Sequence, residues 1–125
     1  RIYNEDNVYD VIVDALYIST FNGKEEQELY PYVKHFLSIY GDRFFESCLK
    51  DFLLKKDCEP LLKEIEEAMK SALKNEKYYQ ASQLFPVIVH YDKHRFKEYF
   101  EIFSSLLKDD KRIGYNIEEA EKISS

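Results

Sequence analysis

Three residues at helical spacing carry the most obvious chemistry. His90, His94 and Glu98 recur at i, i+4 and i+8, so on an unbroken helix two imidazoles and a carboxylate share one face. Two histidines four residues apart can chelate zinc. The residue after His90 is Tyr91, so the pattern is not HExxH, and Asp92 lies off the shared face. Further ligands would have to come from His35 or from distant carboxylates. A di-iron bundle needs paired Glu-x-x-His motifs, which the chain lacks. Surface or helix-end histidines are the plainer reading. Neither a metal nor a cofactor is expected, and a helical metal-binding protein ranks third among the functional readings.

The parts for covalent catalysis are sparse. Cys48 and Cys58 stand ten apart with no CxxC pattern, and Cys48 falls in an apolar helical stripe as a small core residue. None of the serines sits in GxSxG. Gly23, Gly41 and Gly114 are too scattered for a phosphate-cradling loop. Carboxylate pairs such as Glu64 and Glu67 belong to the solvated side of an amphipathic pattern. The expectation is a protein that is not an enzyme.

Acid and tyrosine are the more informative signals. Asp6, Asp10 and Asp14 form a stripe at i, i+4 and i+8. Like charges at that spacing cost a helix a few tenths of a kcal/mol per pair, and aspartate is a poor interior helix former. Tyr17 falls within the stripe, and Tyr9 lies roughly 60° to one side at about 100° per residue. Glu25, Glu26 and Glu28 follow at its rim. A local cost without a visible structural return points to function. The chain's 11 Tyr and 9 Phe make 16% of the sequence, too many for every hydroxyl to be buried and satisfied, so some tyrosines belong at the surface, where binding patches favour them.

Composition sets the outer limits. The 125 residues are 45% hydrophobic and 34% charged, which suits one packed domain, 1–125, and argues against disorder. The Arg start reads as a piece or a processed form of a longer chain. Net charge is −6, which lowers the prior for direct nucleic-acid binding. Residues 1–30 hold seven acids and two bases, so nearly all the excess lies in the first quarter, where it can steer a basic partner. No run is long and apolar enough for a membrane span. Two cysteines without a framework favour a reducing, cytoplasmic setting.

The elements that must position these groups read as helices. Asn4–Thr20 fits a 3.6 period, although its β-branched run Val11-Ile12-Val13 leaves a strand open. Leu29–Tyr40 follows, with Pro31 in its first turn and Gly41 at its end. Asp42 caps Arg43–Lys55, on whose stripe lie Phe45, Cys48, Leu49, Phe52 and Leu53. Pro60–Asn75 is the clearest, with Leu61, Leu62, Ile65, Ala68, Met69, Ala72 and Leu73 on one face. Glu76–Tyr91 must kink or break near Leu84, because an interior proline at 86 costs ~3 kcal/mol; Phe85–Val89 is otherwise extended. Lys93–Lys108 places Phe96, Tyr99, Phe100, Phe103, Leu106 and Leu107 together. A charged loop with Gly114 precedes Ile117–Ser124, and Asn116 with Glu119 resembles a capping box.

The expected fold class is all-α, an irregular bundle or short array of about six antiparallel helices built as helical hairpins. The stretch from Lys63 to Pro86 is similar to half of a tetratricopeptide-type hairpin, with Tyr78, Ala81 and Pro86 near that repeat's aromatic, small and closing proline positions. The Trp-Leu-Gly-Tyr portion and a second copy at 34 residues are absent.

The leading expectation is a non-enzymatic adaptor or scaffold module. It docks another protein's basic surface through Asp6, Tyr9, Asp10, Asp14, Tyr17, Glu25, Glu26 and Glu28, without nucleic acid or membrane. The alternative is an acidic inhibitor of the immunity-protein type, imitating phosphates in the cleft of a nucleic-acid-acting enzyme. A Phe/Tyr-rich helix face could equally build a homo-oligomer.

Overall fold

The computed structural model describes residues 26–42 and 48–125. Among them the fold is all-α, and the core forms one continuous cluster. Helix α1 is Glu26–Ile39, α2 Cys48–Lys55, α3 Leu62–Lys74, α4 Tyr78–Gln83, α5 Phe85–Tyr91, α6 Arg95–Ser105 and α7 Ile113–Ser124; a single 3-10 turn, Glu59–Leu61, leads into α3. The expected helix at Asn4–Thr20 and the start of the one at Arg43 lie outside the described residues, as does the Cys48 side chain.

Helix α5 is the centre. Phe85, Pro86, Val87, Ile88 and Val89 are all buried, and α2, α3, α4, α6 and α7 all pack against it. A helix apolar on every side must be enclosed, which explains why this stretch reads equally as a buried strand in sequence. Pro86 stands in its first turn, where the missing N–H has no intrahelical partner to lose. The break falls at Leu84, which separates α4 from α5 with φ −86° and ψ −11°.

The stripe of α3 is buried as its spacing implies, with Ile65, Ala68, Met69 and Ala72 inside. The helix ends in a Schellman closure. Lys77 N–H donates to the Ala72 carbonyl at 2.9 Å and Glu76 N–H to that of Leu73 at 3.1 Å. The left-handed position is taken by Glu76, φ 61°, where glycine is usual. The chain then reverses into α4, so α3 and α4 do form a helical hairpin. Pro86 opens the following helix and does not close this one.

Helix α1 begins before the expected Leu29, so Pro31 lies beyond its first turn and interrupts the hydrogen-bond ladder there. The helix ends where it meets α3. A Cβ on Gly41 would stand 2.8 Å from Ser71 Cβ and 2.9 Å from its carbonyl carbon, so only glycine permits this approach. Asn75 Nδ2 donates to the Gly41 carbonyl at 2.8 Å and to Asp42 Oδ1 at 3.3 Å.

Helix α7 starts four residues earlier than expected. Asp110 accepts from Arg112 N–H at 2.9 Å and from its guanidinium at 2.6–3.2 Å, which turns the chain into the helix. Gly114 is therefore helical. Asn116 and Glu119 do not form a capping box: Asn116 is buried within α7 and donates to Ser82 Oγ at 2.9 Å. Lys50 joins the two, 3.0 Å from Asn116 Oδ1 and 2.5 Å from Glu119.

Candidate functional site

The histidine trio is divided between two helices. His90 is in the last turn of α5 and His94 precedes α6. Asp92 between them is extended, with φ −147° and ψ 94°. Its carboxylate accepts from His94 N–H at 3.2 Å and its carbonyl from Arg95 N–H at 3.1 Å. Asp92 thus terminates one helix and opens the next, as aspartate does through local hydrogen bonds. The unbroken face that the spacing assumed does not exist. All three residues are exposed, and Glu98 lies 3.4 Å from Arg95 Nη1. No group of three or more His, Cys, Asp or Glu among the described residues is arranged to hold a metal ion.

The acidic stripe cannot be placed. Asp6, Tyr9, Asp10, Asp14, Tyr17 and Glu25 lie outside the described residues; Glu26 opens α1, and Glu28 is exposed on it. The surplus of tyrosine does reach the surface, where Tyr32 and Tyr115 are 52% and 76% exposed. Others are structural. Tyr91 Oη accepts from Cys58 N–H at 2.9 Å and lies 2.7 Å from the Lys56 carbonyl, closing the end of α2. Tyr99 Oη donates to Glu66 Oε2 at 2.6 Å, and Arg95 pairs with the same carboxylate. That carboxylate holds the Arg95 guanidinium above its ordinary value.

Hollows open on the surface of the described residues, and three of them bear on function. One of about 320 Å³ is walled by Tyr78 and Tyr79, floored by Gln80 and Gln83, and rimmed by Glu76, Lys77, Asp110 and Arg112. The Arg112 guanidinium rests 4.1 Å above the Tyr79 ring and is clamped by Asp110, so its charge is spent within the fold. A second, of about 300 Å³, lies between α1 and α3 and mixes Lys34 with Glu64 and Glu67. Glu64 pairs with Lys34 at 3.4 Å through one oxygen, while the other is buried without a hydrogen bond among the described residues.

The third hollow is different in character. It is a groove of about 280 Å³ between α6 and α7, lined by Phe100, Ser104 and Leu107 on one side and by Gly114, Ile117, Glu118 and Glu121 on the other. Phe100 and Ser104 stand four apart on α6 and Leu107 follows in the turn after it, while Gly114, Ile117, Glu118 and Glu121 follow i, i+3, i+4, i+7, the spacing that puts side chains in one row along α7. Gly114 leaves the groove open at one end, since a Cβ there would just touch Leu107 Cδ2 at 3.4 Å. Phe100 is 37% exposed and is the outer member of an aromatic series from the core. Phe103 lies 5.1 Å from Phe85, Phe85 5.6 Å from Phe96, and Phe96 5.2 Å from Phe100. Glu118 and Glu121 are exposed, and neither pairs with a base among the described residues.

Sequence reasoning missed this groove. In sequence Phe100 reads as part of the apolar face of its helix, and Gly114 as part of a loop. The available signal was the i, i+3, i+4, i+7 run of Gly114, Ile117, Glu118 and Glu121, which gives α7 one face part apolar and part acidic.

No helix among the described residues is long and apolar enough to cross a membrane. Neither the known protein families, nor the curated proteins, nor the solved structures include a match to this chain.

Proposed function

We propose that the protein is a non-enzymatic interaction module that docks a basic surface of another protein. The observation that carries this reading is the α6–α7 groove, where an apolar floor is bordered by Glu118 and Glu121. An apolar centre with a charged rim is the anatomy of a docking patch. The net charge of −6 adds long-range attraction for a basic partner. The acidic, tyrosine-bearing stripe of residues 6–28 is proposed as a second element of the same attraction, and the cytoplasm as the setting.

The test is affinity capture with the full chain at low and high salt, using wild type, Asp10→Lys/Asp14→Lys and Glu118→Lys/Glu121→Lys. The expected result is a basic protein retained by wild type, released by salt, and lost from at least one variant. Loss from the first variant locates the contact on the stripe, and loss from the second locates it on the groove. Equal capture by all three proteins, or no specific capture, overturns the proposal.

A further inference from the structure

We infer that the α6–α7 groove receives a single amphipathic helix of the partner, its apolar stripe on Phe100, Leu107 and Ile117 and its lysines or arginines over Glu118 and Glu121. This rests on the reading above and adds the form of the ligand. A furrow between the side chains of two packed helices can accept the ridge of a third, and an apolar stripe laid into such a furrow is a recurring mode of recognition. The length is set by the groove: its lining runs from Phe100 to Leu107 and from Gly114 to Glu121, roughly 10 Å on each side at 1.5 Å per residue, so about two turns of the occupant can be seated.

Charge selects among occupants. Glu118 and Glu121 stand on one side of the furrow with no ion-pair partner among the described residues, so a flanking cation on the incoming helix gains a partner, and an acidic helix is repelled. A second copy of this chain, at net charge −6, brings the wrong sign overall. Gly114 determines where the largest side chain enters. It is the one lining position without a side chain, and the floor beside it is Leu107. A bulky apolar residue of the partner fits opposite it, and any side chain added at 114 competes for the same space. The exposed Ile102 lies on the far side of α6 from Phe100, about 200° away at 100° per residue, and takes no part.

The experiment uses a labelled 14-residue designed peptide with leucines at i, i+3, i+7 and i+10 and lysines flanking that stripe. Binding to the full chain is followed by fluorescence anisotropy. Controls are a scrambled peptide of the same composition and a peptide with glutamate replacing lysine. The striped basic peptide is expected to bind, with amide shifts of isotope-labelled protein confined to α6 and α7, and both controls to bind at least ten-fold more weakly. Gly114→Leu and, separately, Glu118→Lys/Glu121→Lys are expected to lower its affinity by ten-fold or more; the second changes only exposed side chains, so loss of fold cannot account for its effect.

Equal binding of the scrambled peptide, no binding of the striped one, or undiminished affinity in both variants overturns the inference. A wild-type dimer in sedimentation that Phe100→Ser dissociates also overturns it, because a second copy then occupies the groove. Partner capture that still depends on Glu118 and Glu121 when the striped peptide fails leaves the docking function standing and removes only the helical ligand. Loss of both removes the two together.

Discussion

Tyr40 and Gln80 exchange hydrogen bonds, each side chain with the other's backbone. Tyr40 Oη donates to the Gln80 carbonyl at 2.7 Å, and the Gln80 amide donates to the Tyr40 carbonyl. Both residues are buried. The pair ties the end of α1 to α4 across forty residues of chain, and it gives each of two backbone carbonyls a side-chain donor.

Removing the Tyr40 hydroxyl tests that tie. Tyr40→Phe keeps the ring and removes the hydroxyl that donates to the Gln80 carbonyl, at a cost of about 0.5–1.5 kcal/mol for a lost hydrogen bond. Urea denaturation is expected to give a lower midpoint with an unchanged slope. A midpoint equal to wild type would mean the exchange contributes nothing to stability.

Burial pushes the hydroxyl protons of Tyr40, Tyr91 and Tyr99 well above the ordinary tyrosine range. Below the unfolded value of about 10, these groups keep their protons in both states and their contribution is intact. As the pH rises through about 10, the unfolded chain releases protons that the native one retains, so stability falls. Thermal melts from pH 8 to 11 are expected to show a steep decline beginning near pH 10. Tyr91→Phe, less stable at neutral pH, should decline less steeply. Parallel curves for the two proteins would contradict the assignment for Tyr91.

Three backbone positions give opposite signs. Gly41→Ala drives a methyl group into Ser71 and is expected to cost about 1–3 kcal/mol, as overpacking does. Gly114→Ala meets only a normal contact with Leu107 inside a helix and should stabilise by roughly 0.5–1 kcal/mol. Glu76→Gly relieves the left-handed residue at the end of α3 and should also stabilise, by about 1 kcal/mol at most. Denaturation midpoints ordered Glu76→Gly and Gly114→Ala above wild type, with Gly41→Ala below it, would bear this out.

The separated histidines predict indifference to metal. His90→Ala/His94→Ala changes exposed side chains that make no ion pair among the described residues and should move stability by no more than about 0.5 kcal/mol. Equimolar zinc should leave the melting temperature of wild type unchanged. A zinc-dependent rise that the double variant abolishes would restore a metal role for the pair.

What the sequence revealed and what it concealed have separate physical causes. The stripe of α3 and the break at Leu84 were legible, because periodicity and proline act within one or two turns. Asn116 and Glu119 have the spacing of a capping box, yet Lys50, 66 residues away from Asn116, claims both; no local pattern carries a partner so distant. The histidines are exposed at helix ends, as their plainer reading has it, and their spacing is not a shared face because Asp92 ends one helix and opens the next. The groove was hidden for a third reason. It is a space between two helices, and its opening depends on the absence of a side chain at Gly114. Of the acidic stripe, the described residues include only its end at Glu26 and Glu28.

The central position of α5 bears on when the molecule can form. Seven residues beginning with Phe85-Pro86 cannot hold a helix in water alone, and one side of α5 is covered by Ile113, Ile117 and Ala120 of α7. As the chain leaves the ribosome in order, α1 to α4 emerge first and can pair only loosely, since the element they surround still has one apolar side facing water. That side can close only once Ile113, Ile117 and Ala120 are clear of the ribosome. Until α7 joins it, the side of α5 that α7 covers has only water to face, so the enclosure of α5 is completed by the most C-terminal of the described helices.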